Sequence, residues 1–324
     1  MKNNRIIWIT IITIVIMILV LGACSQRSEQ GLNQETVTIK IAVLPILDTL
    51  PMYVAEKEGY YPTHHIQVEF IPVGSAPERD QLISSGQADA MVNEIVSTLF
   101  YNQDQIQVQT VRFARTATNA FPLFHILASA NSDITTPKDL LNVDIGISEG
   151  TVIEYLTDRL LENEGFLQAD IKTIAVPKIS DRMALLASNE LKAAVLPDPL
   201  TYLAVQQGAK IILDDTSIPD KSFSTISFRK AFIDQNPGAV RNFLSAIEEA
   251  TVKINQDPNQ YTSLLTEQKL VPEPILENYQ INPYPIAGVP TQAQWDDVLN
   301  WAKEKGLVAK DVSYQDSVTD QYLP

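Results

Sequence analysis

Gly74-Ser75-Ala76-Pro77-Glu78-Arg79-Asp80-Gln81-Leu82-Ile83-Ser84-Ser85-Gly86-Gln87-Ala88-Asp89-Ala90-Met91-Val92-Asn93-Glu94-Ile95-Val96 is the stretch from which the fold is read. Pro77 falls in the first turn of a helix, where its missing N–H would be unpaired anyway. Leu82 and Ile83 give that helix a buried side, and Gly86 ends it as a glycine just past a helix end does. Residues 88–92 then read as a short buried strand with Asn93 and Glu94 at its carboxyl end. The unit is loop, helix, turn, strand, loop, and both loops are polar.

The stretch recurs 103 residues later: Arg182, Leu185, Ser188, Ala193 and Val195 lie over Arg79, Leu82, Ser85, Ala90 and Val92 without a gap. The apolar strand at 39–44 is likewise matched by 143–147. A period this long is not a solenoid. It points to two similar α/β lobes, each starting strand–helix–strand.

Outward from the repeat, residues 37–44 and 66–73 read as strands, with a helix from Met52 to Glu58 between them. This spacing predicts parallel βαβ units. Residues 121–128 and 223–228 are apolar and extended, and are read as the two crossings between lobes. Residues 237–255 predict an amphipathic helix with Phe243, Leu244, Ile247 and Ala250 inward, and 291–305 a closing helix. The fold class expected is α/β and bilobal, with two βαβ lobes joined by two extended hinge crossings.

At the front, Lys2 and Arg5 precede an apolar run and then Leu21-Gly22-Ala23-Cys24. A basic start, an apolar core and small residues form a secretory signal. Cys24 is the chain's one cysteine, so no intramolecular disulfide is available. Residues 25–35 are polar and aperiodic, a tether. The 324 residues carry a net charge of −15, which argues against nucleic acid or an anionic membrane surface as a partner. His64-His65 and His125 lack ligand spacing, so no metal is expected. No Gly-x-Ser-x-Gly, P-loop or dinucleotide fingerprint occurs, and neither a catalytic residue nor a cofactor is assigned.

Leu21-Gly22-Ala23-Cys24 resembles the bacterial lipobox, which implies lipidation of Cys24. Leu50-Pro51 through Gly59, Glu78-Arg79-Asp80 with Ser85 through Asp89, Ser148 with Thr151 to Tyr155, and Leu196-Pro197-Asp198-Pro199 together resemble substrate-binding lipoproteins of ABC importers. The group resembled is the nitrate/sulfonate/taurine type, with the related pyrimidine-precursor binders. The resemblance spans roughly 37–306. It implies a type II-like periplasmic-binding fold, monomeric and lipid-anchored outside the cytoplasm, that captures a small polar molecule and delivers it to a permease. The ranges expected are 1–23 for the signal peptide, 24–36 for the tether, 37–124 for the first lobe, 125–224 for the second, and 225–324 for the return to the first lobe and the C-terminal helices. Two alternatives stay open: an enzyme related to pyrimidine-precursor synthases, and a tethered ligand sensor.

In open α/β sheets ligands gather beyond the carboxyl ends of strands. The expected ligand-binding residues are accordingly Leu47 and Asp48, Ser75 and Ala76, Asn93 and Glu94, Ser148, Glu149 and Thr151, and Asp198. Ser75 and Ser148 either hold a ligand or cap helices. The carboxylates of Asp48, Glu94, Glu149 and Asp198 either face the ligand, favouring an amine-bearing, zwitterionic or heteroaromatic one, or lie on the rim. Arg112 and Arg115 either meet a ligand anion or pair with these carboxylates, and Tyr53, Phe121 and Tyr155 either stack on a ring or pack in the core.

Overall fold

A computed structural model describes residues 36–324. The signal segment, Cys24 and the tether up to Glu35 lie outside the described residues. Ten strands form two five-stranded sheets. The first contains β1 (Val37–Val43), β2 (Ile66–Pro72), β3 (Ala90–Asn93) and β4 (Val108–Thr116), in the order β2-β1-β3-β10-β4 with β10 (Phe223–Arg229). The second contains β5 (Phe124–Ala128), β6 (Asp144–Ile147), β7 (Lys172–Ala175), β8 (Ala193–Pro197) and β9 (Lys210–Asp214), in the order β7-β6-β8-β5-β9. The two orders are the same. Each sheet has four strands running one way and one reversed strand, β10 or β5, next to its edge.

The repeat seen in the sequence is a repeat in space. Helices Ala76–Ser84 and Ile179–Ala187 start 103 residues apart and are each nine residues long. Arg79 Nη1 donates to the Val92 carbonyl at 3.2 Å, and Arg182 Nε donates to the Val195 carbonyl at 2.7 Å, so matched arginines hold matched strands. Ser85 and Ser188 hydroxyls donate to the Leu82 and Leu185 carbonyls. The helix-ending positions also correspond: Gly86 has φ 72° and Asn189 φ 63°. Both residue types tolerate the left-handed conformation that ends a helix.

The crossings are not where the sequence reading put them. Most of 121–128 is β5, and 223–228 is β10. The connections are the shorter runs before them, 117–123 and 215–222. Each leaves an edge strand and enters the opposite sheet as its reversed strand. Such a strand is buried on both faces, so its composition is that of any apolar extended run, and nothing local records its direction.

The core is divided accordingly. Helix Pro237–Gln256 buries Phe243, Leu244, Ile247 and Ala250, as its periodicity predicts, against Ile41 and Phe228 of the first sheet. Helix Gln292–Glu304 does not return to that core. Trp295, Val298 and Trp301 pack instead with Ile126 and Ile145 of the second sheet and with Ile95 and Leu99 of helix Ile95–Asn102. Among the described residues no helix is long and apolar enough to cross a membrane.

Candidate functional site

The parallel strands of both sheets end in loops that face a shared cleft, which encloses a cavity of about 90 Å³. A buried water occupies roughly 10–15 Å³ on this measure, so the cavity suits one compact solute. Six loops build it. Asp48 follows β1, Ser75 and Ala76 follow β2, and Asn93 and Glu94 close β3; on the other wall Ser148 and Thr151 follow β6, Pro177 follows β7, and Asp198 follows β8. The antiparallel strands add Arg115, Phe124 and Ser224.

Each of these loops leads into a helix, and at three of the helix starts a side chain takes up a free amide. Ser75 Oγ accepts from the Glu78 N–H, Glu94 from the Ser97 N–H, and Thr151 Oγ1 from the Ile153 N–H. Asn93 is held by Thr98, Thr225 and Ser227. Ser148 caps nothing. It is 3% exposed, and its hydroxyl has no hydrogen-bond partner.

The cleft's charges are paired. Arg115, from β4, donates to Asp198 Oδ2 at 3.0 Å across the two sheets, and its Nη1 lies 3.9 Å from Asp48. Asp198 Oδ2 also accepts from the Tyr279 hydroxyl at 2.6 Å, whereas its Oδ1 is buried without a partner. Asp48 accepts from the Ser224 hydroxyl. Arg79 donates to Asp80 at 2.8 Å and reaches Glu94 only at 3.5 Å. Burial dominates at Glu94 and, although Arg79 and the Ser97 amide oppose it, raises its pKa to about 7. Burial opposes the charge on Arg115, but Asp198 foremost outweighs it and holds the pKa above the ordinary arginine value.

Of the expected residues, Asp48, Ser75, Ala76, Asn93, Glu94, Ser148, Thr151 and Asp198 line the cavity. Leu47 and Glu149 do not. Leu47 is buried in the first core with its carbonyl accepting from the Tyr284 hydroxyl, and Glu149 is exposed. Arg115 pairs with the cleft carboxylates, whereas Arg112 binds Glu248 at 2.7 Å outside the cleft. Tyr53, Phe121 and Tyr155 stay off the lining; the aromatic there is Phe124. Sequence reasoning passed over Arg79, Phe124, Pro177 and Ser224. Arg79 carried a signal, its match to Arg182. The loop at Pro177 was the carboxyl end of a strand that the reading left unassigned.

A sequence profile of the NMT1/THI5 like family matches residues 47–261. No curated protein sequence matches the chain significantly. Among solved structures, the alkanesulfonate-binding protein SsuA from Xanthomonas axonopodis pv. citri, bound to MOPS, has a TM-score of 0.73 at 15% identity, covering 87% of this chain and 98% of its own. The ligand-binding component of an ABC-type import system from Staphylococcus aureus has a TM-score of 0.75 at 16% identity, covering 89% and 98%. The desulfurization enzyme DSZB has a TM-score of 0.68 at 13% identity, covering 88% and 97%. At these identities the likeness is one of fold, and that fold carries both binding proteins and an enzyme.

Proposed function

The chain belongs to the NMT1/THI5 like family, and from that premise we propose that it is the extracytoplasmic solute receptor of an ABC importer. The observation that carries the reading is the cleft, whose polar walls come from both sheets, with two strand-to-strand connections, 117–123 and 215–222, running between them among the described residues. A solute between the sheets bridges them, and the bridged form is the shape a permease recognises. We take the lobes to be the two sheets with their helices, the receptor to act as a monomer, and Asp48, Ser75, Asn93, Glu94, Ser148, Thr151 and Asp198 to be its ligand contacts.

Thermal unfolding of the full chain in detergent against a solute library tests the reading. A solute at a hundredfold excess over its Kd adds about 2.7 kcal/mol of stability, and it should also reduce the radius of gyration in solution scattering. A folded chain stabilised by no solute would sink the proposal. The lipid anchor, proposed from the segment before the described residues, has its own test: Cys24→Ala should move the chain from the membrane fraction to the soluble or secreted one.

A further inference from the structure

Two of the loop amides with which this cleft could hold an oxyanion are taken by the chain's own carboxylates. Helix N-termini bind anions through free loop amides. Here the Gly74 N–H donates to Glu78 Oε2 at 2.7 Å, and the Gly150 N–H donates to Glu154 Oε2 at 2.7 Å. One carboxylate on each side of the cleft reaches back over the same four residues. The two guanidiniums are also engaged, Arg79 by Asp80 and the Val92 carbonyl, Arg115 by Asp198 and Asp48. Lys178 comes near Gly74 from the opposite wall, but it is exposed and water screens its charge.

Two buried side-chain atoms of the lining are left without a partner, and one of them, a carboxylate oxygen, can only accept. Asp198 Oδ1 and Ser148 Oγ are buried, line the cavity and have no partner; Asp198 is 2% exposed and Ser148 3%. A buried carboxylate oxygen without a donor is costly, and a ligand N–H would relieve it. The lining carboxylates Asp48 and Asp198 already balance the two guanidiniums, so no unmatched positive charge is offered to an anion.

We infer that the cleft takes a small solute presenting a cationic or neutral N–H donor to Asp198 and Ser148 and carrying no oxyanion. The inference rests on the receptor reading and names the ligand class for it, one distinct from the alkanesulfonate of the SsuA structure.

Calorimetry on the full chain in detergent separates the possibilities. The donor probes are acetamidinium, imidazole and 2-aminopyridine, and the oxyanion probes are nitrate and methanesulfonate. At least one donor should bind and both oxyanions should be silent. Asp198→Asn should weaken the donor about tenfold or more, as expected for a hydrogen bond to a charged group, and should let methanesulfonate bind by freeing Arg115. Because Asp198→Asn disturbs a buried ion pair, Ser148→Ala is the second variant. Its hydroxyl makes no hydrogen bond to the protein, so the fold should survive while donor affinity drops severalfold. Oxyanion binding to the wild-type chain with silent donors, or donor affinity unchanged in Ser148→Ala, would overturn the ligand class and leave the receptor standing. Silence from both probe sets in a chain with native circular dichroism would count against the receptor reading, and the ligand class would fall with it.

Discussion

Arg182 is a cation buried almost entirely among backbone carbonyls. Its Nε and Nη1 donate to Val195 and Val176, and burial lowers its pKa to about 10. Arg182→Ala leaves two carbonyls unpaired and opens a void, which should cost about 2–4 kcal/mol in denaturant unfolding. Arg182→Met fills the void and also removes the buried charge, so it should cost distinctly less. Glu94 supplies a pH dependence. Its folded pKa of about 7 stands above the ordinary 4.5, so the folded state binds the extra proton between those values. The stability it contributes is therefore complete below the unfolded pKa and is lost as pH rises through the folded one. The loss is on the order of 3 kcal/mol. Glu94→Gln should flatten the plot of unfolding free energy against pH between those two values; an unchanged slope would show that Glu94 is not its source.

At the scale of the element, the two connections between sheets are held by one carboxylate. Asp215, in the second connection, accepts from the Leu123 and Phe124 amides at 3.0 Å each and from the Ser222 hydroxyl. Those amides lie at the end of the first connection and the start of β5, so Asp215 fixes where the chain enters the second sheet. Asp215→Ala should destabilise by about 2–4 kcal/mol, since buried donors lose their acceptor. Hydrogen exchange at Leu123 and Phe124 should accelerate more than at Val195, which separates loss of this staple from global unfolding. The matched helix ends make a smaller test. A Cβ at Gly86 meets nothing closer than 3.8 Å, so Gly86→Ala costs only the left-handed backbone, about 1–2 kcal/mol in the unfolding free energy.

Across the whole molecule, a C-terminal strap spans the two halves beside the first connection. Tyr284 belongs to the first core, and Tyr279, five residues before it, reaches the second wall with its hydroxyl on Asp198 and its ring 6.0 Å from Tyr202. The Pro274 carbonyl accepts from Gln206 of the same wall. Helix Gln292–Glu304 is bound to the second half as well: Asp297 accepts from Tyr155, Arg159 and Lys221. The return of the chain thus couples both halves. Tyr279→Phe removes one hydrogen bond to a charged group and should lower affinity for the best solute about tenfold. Its circular dichroism should match the parent; equal affinity would show that the strap does not bias the bridged form.

The sequence by itself determined the two-part α/β plan, because a buried strand, a helix stop and an N-cap are each written in adjacent residues. The match of Arg79 to Arg182 and of Ser85 to Ser188 foretold that the two halves would be built alike. It also placed most of the cleft loops, since a loop at the carboxyl end of a parallel strand faces the ligand side whatever its composition. Only the tertiary structure decided which way β5 and β10 run, which connections cross, and where helix Gln292–Glu304 docks, because an apolar face does not name its partner. The same holds for the charges. Asp198 could be read as a cleft residue, but that Arg115 occupies one of its oxygens and leaves the other free depends on strands 83 positions apart in the chain.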